Sequence, residues 1–349
     1  MEPQGVTMRN GSRFTGTLAA TLGIALLLAG CGGGNKAGEV VLLNASYDPT
    51  RELYKALNEA FAAEHEKKTG IPVRIKQSHG ASGSQARAII DGLEADVATL
   101  ALWSDTEALH KKGLLAEGWE EKLPNRSLPY VSTIVFVVRK GNPKQIKDWP
   151  DLVKGEVAVI TPNPRTSGNG KLAFLAAWGD AFQSGGGEDA AKTFVTELYR
   201  RVPVLDTGAR GSTTTFLHKK IGDVHLTWEN EAHYEVKEAA GELEIVYPPR
   251  SVLAEPHVAL VDQNVDRKGT RATADAYLRF LYEPAGQEII AAHYYRPTDK
   301  AALEKHRAHF PEMKLFSLKD LGLGWDAAQT KFFADGGVFD AIYQKAAKR

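Results

Sequence analysis

The residues of the chain that could do chemistry are concentrated in Glu156–Phe182, EVAVITPNPRTSGNGKLAFLAAWGDAF. The apolar run Val157–Ile160 predicts a short buried strand, and Leu172, Phe174, Leu175, Ala176 and Trp178 predict a helix. Between them lies a loop of Pro, Asn, Arg, Thr, Ser and Gly. A strand, a glycine-containing loop and a helix together make a local anion site, because a helix N-terminus leaves backbone N–H groups unpaired and carries about half a positive charge. Ser167 adds a hydroxyl, and Gly168 and Gly170 allow close approach of backbone to ligand. Taken alone, the loop reads first as a solvated connection with an ordinary Ser cap, ahead of an anion site. A nucleotide-phosphate loop is excluded, since it would need Gly at Arg165 and a hydroxyl at Leu172. The dinucleotide fingerprint lacks its third glycine in the stretch Leu172-Ala173.

Four further connections have the same character: residues 44–50, 77–84, 206–213 and the turn at Trp228. Strands are predicted at Val40–Leu43, Val73–Lys76, Val97–Leu102, Val202–Leu205 and Val224–Thr227. Helical stripes run through Leu53, Leu57 and Phe61, through Ile89, Ile90 and Leu93, and through Phe194, Val195 and Leu198. Thr50 is the expected cap of the first of these helices. Alternating strands and helices predict parallel sheets with ligands at the carboxyl ends of the strands. Val131–Arg139 and Leu253–Val261 are expected crossovers between two lobes, with the C-terminal remainder packed as helices over the first lobe. Two facing sheets would aim several helix N-termini at one point, so the five connections together predict an anion cleft.

Composition sets limits on the rest. The 349 residues are 43% apolar and 25% charged, with 43 basic and 43 acidic side chains. That balance gives no reason to expect nucleic acid or an acidic membrane surface as a partner. Without residues 1–30 the net charge is −1, so selection of an anion must be local rather than a matter of bulk charge. The N-terminus predicts a targeting segment: Arg9 and Arg13 precede an apolar run ending in Leu28-Ala29-Gly30-Cys31. This tetrapeptide resembles the bacterial lipoprotein processing box, which implies a signal peptide over 1–30 and lipidation of Cys31. Cys31 is the single cysteine of the chain, so no intramolecular disulfide is available. Residues 31–38 read as a flexible tether.

Several motifs then carry a resemblance: Asn44-Ala45-Ser46-Tyr47-Asp48-Pro49-Thr50-Arg51-Glu52, Gln77-Ser78-His79-Gly80-Ala81-Ser82-Gly83, Gly141-Asn142-Pro143-Lys144-Gln145-Ile146, Thr161-Pro162-Asn163-Pro164, Gly208-Ala209-Arg210-Gly211-Ser212 and Trp228-Glu229-Asn230-Glu231-Ala232. They resemble the bacterial sulfate-binding proteins of ABC transporters and their thiosulfate-binding relatives, over essentially the whole chain from Val40 onward. The resemblance implies an α/β, two-lobed periplasmic-binding-protein (type II) fold with two crossovers and the ligand in the interlobe cleft. It implies lobe 1 over 39–128 and 252–349, and lobe 2 over 129–251. The implied function is extracytoplasmic capture of inorganic sulfate, or thiosulfate, and delivery to the permease of an ABC importer. The expected protein is a monomer, held to a membrane only through a lipid anchor, with no cofactor, no metal and no enzymatic activity. Implied ligand donors are the backbone at Asp48, Ser82, Gly168, Asn169 and Ala209, the Ser167 hydroxyl and the Trp228 indole. Asn169 and Ala81 depart from the glycines usual in the family. If position 169 needed a positive φ, Asn would be the best tolerated residue after Gly.

The alternatives are a carrier of molybdate or phosphate, or a secreted hydrolase of sulfate or phosphate esters. His79 beside Ser78, Ser82 and Ser84 is the one candidate base for a hydrolase, and it has neither a nucleophile elbow nor an assignable acid. Arg165, Lys171 and Arg210 flank the predicted site, and salt bridges on its rim are their expected role. Asp48 is expected either to cap the helix near Thr50 or to pair with Arg210.

Overall fold

The structure, a computed structural model, describes residues 38–346. The predicted leader, Cys31 and all but the last residue of the tether lie outside the described residues. Twelve strands occur among them: β1 Val40–Tyr47, β2 Val73–Gly80, β3 Val97–Thr99, β4 Tyr130–Val131, β5 Ile134–Arg139, β6 Val159–Ile160, β7 Val224–Trp228, β8 Leu243–Val246, β9 Arg250–Val252, β10 Val258–Leu260, β11 Arg296–Pro297 and β12 Lys314–Phe316. Two four-stranded sheets dominate, ordered β10-β3-β1-β2 and β6-β7-β5-β8.

In the first sheet β1 pairs in parallel with both β2 and β3, and β10 closes the edge antiparallel. The helix Arg51–Thr69 returns the chain from β1 to β2. Its stripe of Leu53, Tyr54, Leu57 and Phe61 is buried, and Gly70 ends it at φ 74°, donating its N–H to the Glu66 carbonyl. Thr50 does occupy the cap position, but its hydroxyl donates to the Tyr47 carbonyl at 2.6 Å and not to the helix.

The second sheet is mixed rather than parallel. β5 runs antiparallel to β7 and β8, and only β6 runs parallel to β7. The expected strand at Val202–Leu205 is irregular chain; Pro203 offers no ladder donor, and Val202 N–H turns back to the Tyr199 carbonyl. Sheet pairing in Val131–Arg139 breaks at Ser132 and Thr133, where the two crossovers run side by side. Ser132 and Ala254 exchange backbone hydrogen bonds of 3.0 and 2.9 Å, Thr133 Oγ1 donates to the Val252 carbonyl at 2.8 Å and Ser251 Oγ to the Ile134 carbonyl at 2.7 Å. The connections between the sheets therefore form one hydrogen-bonded ribbon.

The helix Pro284–Ala292 packs on Arg51–Thr69 as expected, but the last segment of the chain departs from the expectation that it packs over the first lobe. Phe332, Phe333 and Phe339 sit on Phe174, and Phe332 also meets Trp178 edge-on at 4.9 Å. The helix Val338–Ala346 lies against Gly187–Tyr199, with Phe339 and Tyr199 5.3 Å apart. The physical reason lies in Gly168–Ala181, which is apolar around its whole circumference and buries thirteen of its residues. One sheet face cannot cover such a helix, so the tail covers the rest.

Candidate functional site

Five element ends converge on one small cavity, lined by Tyr47, Asp48, Pro49, Gly80, Ala81, Ser82, Ala101, Ser167, Gly168, Asn169, Ala209 and Trp228. All seven residues expected from the sequence are among them. Its volume is about 10 Å³, close to the least that holds one water-sized occupant. Larger cavities of about 480 and 560 Å³ lie elsewhere and contain none of the seven. A cavity this small has no room for an extended organic ligand.

Each position follows from local structure. β1 ends at Tyr47, and Asp48 opens a short 3₁₀ turn with Pro49 next. Ser82 is the first residue of the helix Ser82–Ile90. Its hydroxyl is committed elsewhere, donating to Asp105 Oδ2 at 2.5 Å and accepting from Ala101 N–H at 3.0 Å. Ser167 caps Gly168–Ala181 and its Oγ accepts from Gly170 N–H at 3.4 Å. The hydroxyl accepts there and keeps its own proton to donate. Ala209 starts the short helix Ala209–Thr213 behind Gly208, and Trp228 ends β7 at the start of Glu229–Glu238. Trp228 is fully buried, its ring 5.3 Å from that of Tyr47.

The two glycines of the loop have separate reasons. A Cβ at Gly168 would stand 2.9 Å from the Ala101 Cβ, so the helix that follows β6 can approach the loop after β3 only without a side chain there. A Cβ at Gly170 would meet the Pro162 carbonyl oxygen at 2.5 Å. Asn169 does not adopt a positive φ and lies within the regular helix, so the strained conformation that would have favoured glycine does not arise.

One charged side chain lines the cavity. Asp48 is the single ionisable carboxylate in its lining, and Oδ1 receives Arg51 Nη2 at 2.8 Å. This corrects the expected capping or Arg210 pairing, because Arg51 is three residues away on the next turn. The rim cations are engaged as expected. Arg165 holds Asp340 at 3.0 Å and also Asp335, Lys171 lies 3.8 Å from Asp105, and Arg210 pairs with Glu52 at 2.7 Å. Arg210 Nε also lies 3.0 Å from Glu231 Oε2, but without hydrogen-bond alignment. Burial accordingly outweighs the attraction of Arg210 and pushes the Glu231 carboxyl up to about 8.

The hydrolase reading finds no geometry. His79 does not line the cavity, burial lowers its pKa to about 4, and the neighbouring Ser78 hydroxyl donates to Gln85 Oε1 at 3.0 Å. Among the described residues no cluster of three or more His, Cys, Asp or Glu could hold a metal. Sequence reasoning did not identify Tyr47, Pro49, Gly80 and Ala101 as cavity walls. Asp48-Pro49 and Gly80-Ala81 adjoin expected residues, whereas nothing in the local pattern marked Ala101.

Comparison with known proteins agrees with this organisation. Residues 42–296 match the family of bacterial extracellular solute-binding proteins. The chain is 51% identical to the sulfate-binding protein of Escherichia coli over 88% of its own length and 94% of that protein's. It is 48% identical to the thiosulfate-binding protein of Pseudomonas aeruginosa, covering 91% of this chain and 97% of the other. Among solved structures it is similar to the sulfate-binding protein SubI of Mycobacterium tuberculosis, with a TM-score of 0.77, 30% identity and coverage of 84% of this chain and 99% of that one. With its two sheets and interlobe cleft, the chain belongs to the sulfate- and thiosulfate-binding proteins among the bacterial extracellular solute-binding proteins.

Proposed function

We propose that this chain captures sulfate outside the cytoplasm and hands it to the permease of an ABC importer, with thiosulfate as a second ligand. The observation that carries the reading is the convergence of helix starts, Ser167 and Trp228 on one small cavity whose lining has no cationic side chain. Sulfate only accepts hydrogen bonds, so a site of donors leaves none of its oxygens unsatisfied. Bonds to the dianion are stronger than neutral ones, and helix termini spread compensating charge without a mobile cation. In this reading the donors are the backbone N–H groups of Asp48, Ser82, Gly168, Asn169 and Ala209, with Ser167 Oγ and Trp228 Nε1. Near-equal likeness to a sulfate-binding and a thiosulfate-binding protein supports the second ligand. Lobe 1 comprises 39–128 and 252–349, with the end of the chain laid across lobe 2 (129–251), and the protein acts as a monomer.

In the same reading, Cys31 is lipidated after removal of residues 1–30 and anchors the protein. Among the described residues no helix is long and apolar enough to cross a membrane, and more than one acyl chain is needed for a stable anchor. A Cys31→Ala variant should be released from membranes; retention, with the leader uncleaved in both forms, refutes the anchor. The test of function is calorimetric titration of the 38–349 fragment with sulfate, thiosulfate, molybdate and phosphate. Tight binding of the first two supports the proposal, and preference for molybdate or phosphate overturns it.

A further inference from the structure

Leu226 and Trp228 lie two apart on β7 and turn their backbone groups to the same edge, the one facing β6. On that edge Val224 N–H reaches the Ala158 carbonyl at 3.3 Å, and the register runs Val159↔Val224 and Ile160↔His225. Carried forward with its two-residue period, the ladder would satisfy the Leu226 carbonyl with the N–H of residue 162. That residue is Pro162, which has none. The Leu226 residue is fully buried, so water does not replace the missing donor. Asn169 does: its Nδ2 donates to the Leu226 carbonyl at 3.1 Å. Asn169 is 2% exposed, and its Oδ1 has no hydrogen-bond partner. The side chain thus makes its hydrogen bond at the point where the sheet ladder fails.

We propose that Asn169 is a positioning and specificity-determining residue of the cavity: its side chain ties the helix start bearing Ser167, Gly168 and Asn169 to the strand that delivers Trp228, and so fixes the cavity width for an anion of sulfate size. This inference rests on the cavity being the anion site. The two sets of proposed donors lie on separate elements, the helix Gly168–Ala181 with its cap Ser167 and the strand β7. The chain enters the helix from β6 through the loop 161–167, which makes no covalent link to β7. Trp228 stands two residues, about 6.6 Å, along β7 from the tethered carbonyl. Preorganised spacing favours the anion that matches it.

The test is calorimetric titration of sulfate and of molybdate, a larger tetrahedral dianion, into wild type, Asn169→Leu and Asn169→Ala. Leu keeps the volume and loses the hydrogen bond; Ala loses both. The expected result is an approximately tenfold loss of sulfate affinity in both variants, with a smaller loss for molybdate, so that the sulfate-to-molybdate ratio falls. Unchanged sulfate affinity overturns the proposal. So does an equal loss for both anions together with a lowered melting temperature of the ligand-free protein, which would make Asn169 merely structural. Ser167→Ala and Trp228→Phe, titrated alongside, separate the two levels. If they weaken sulfate binding while the Asn169 variants do not, only the tether is wrong; if they leave it unchanged, the site assignment fails and the proposal with it.

Discussion

Arg210 Nη2 lies 2.7 Å from Glu52 Oε2, joining the residue after Ala209 to the helix that follows Asp48. Two elements that each present a candidate donor to the cavity are therefore linked outside it by an ion pair. Both side chains are more than a third exposed, which places the pair among those worth at most about 1 kcal/mol. Glu52→Gln should weaken sulfate binding by no more than about fivefold, and the difference from wild type should shrink at high sodium chloride. A large loss that persists in high salt would show that Glu52 acts on the cavity itself.

The candidate donors and the rim cations should separate by magnitude. Ser167→Ala or Trp228→Phe removes one donor from a buried dianion, at a cost of about 1.5–3 kcal/mol, or roughly 10- to 100-fold in affinity. Arg165 is held by Asp335 and Asp340, so Arg165→Ala should loosen the C-terminal segment and lower the melting temperature with little effect on affinity. Calorimetric titration and thermal melts of the three variants check the ranking, and its reversal would displace the ligand from this cavity.

Stability should carry a pH signature from Glu231. Burial pushes its carboxyl from the ordinary 4.5 up to about 8, against the pull of Arg210. A group with a raised folded pKa binds its proton more tightly in the folded protein, so the stability it adds is complete below about pH 4.5 and lost as pH rises through about 8. Glu231→Gln keeps the neutral shape and removes the titration. The variant should show a shallower fall in melting temperature from pH 5 to 8.5 than wild type, and parallel curves would mean that Glu231 is ionised throughout.

What could be read from the sequence follows from what is local. An apolar run followed by hydroxyl and glycine residues specifies a strand end, a turn and a helix start within about ten residues, and the seven residues that the resemblance implied lie at such ends, around one cavity. Partners set by distant chain were not legible. The strand expected at Val202–Leu205 had the right composition, but Pro203 and its tertiary neighbours left it unpaired. The apolar tail announced burial without saying where, and Phe174 with Trp178 provided the surface. Nor could the sequence show that Pro162 falls opposite Leu226, because that depends on the register of β6 against β7.

Selectivity against phosphate is the sharpest consequence of the proposed set of donors. At neutral pH sulfate carries no proton, whereas phosphate carries one or two and needs an acceptor for them. Without one, the proton stays unpaired or must be lost, a penalty of a few kcal/mol, about 1–3 for each unmet group. Asp48 is the one carboxylate in the lining, and its Oδ1 is taken by Arg51 at 2.8 Å. Its Oδ2 is 3.2 Å from where a Cβ on Gly208 would stand, so that oxygen is directed toward the loop that opens Ala209–Thr213. With the carboxylate occupied in this way, sulfate should bind far more tightly than phosphate at both pH 6 and pH 8, and Asp48→Asn should leave that order intact. Phosphate binding as tight as sulfate in wild type, and lost in Asp48→Asn, would place the Asp48 carboxylate inside the cavity as a proton acceptor and make this a phosphate site.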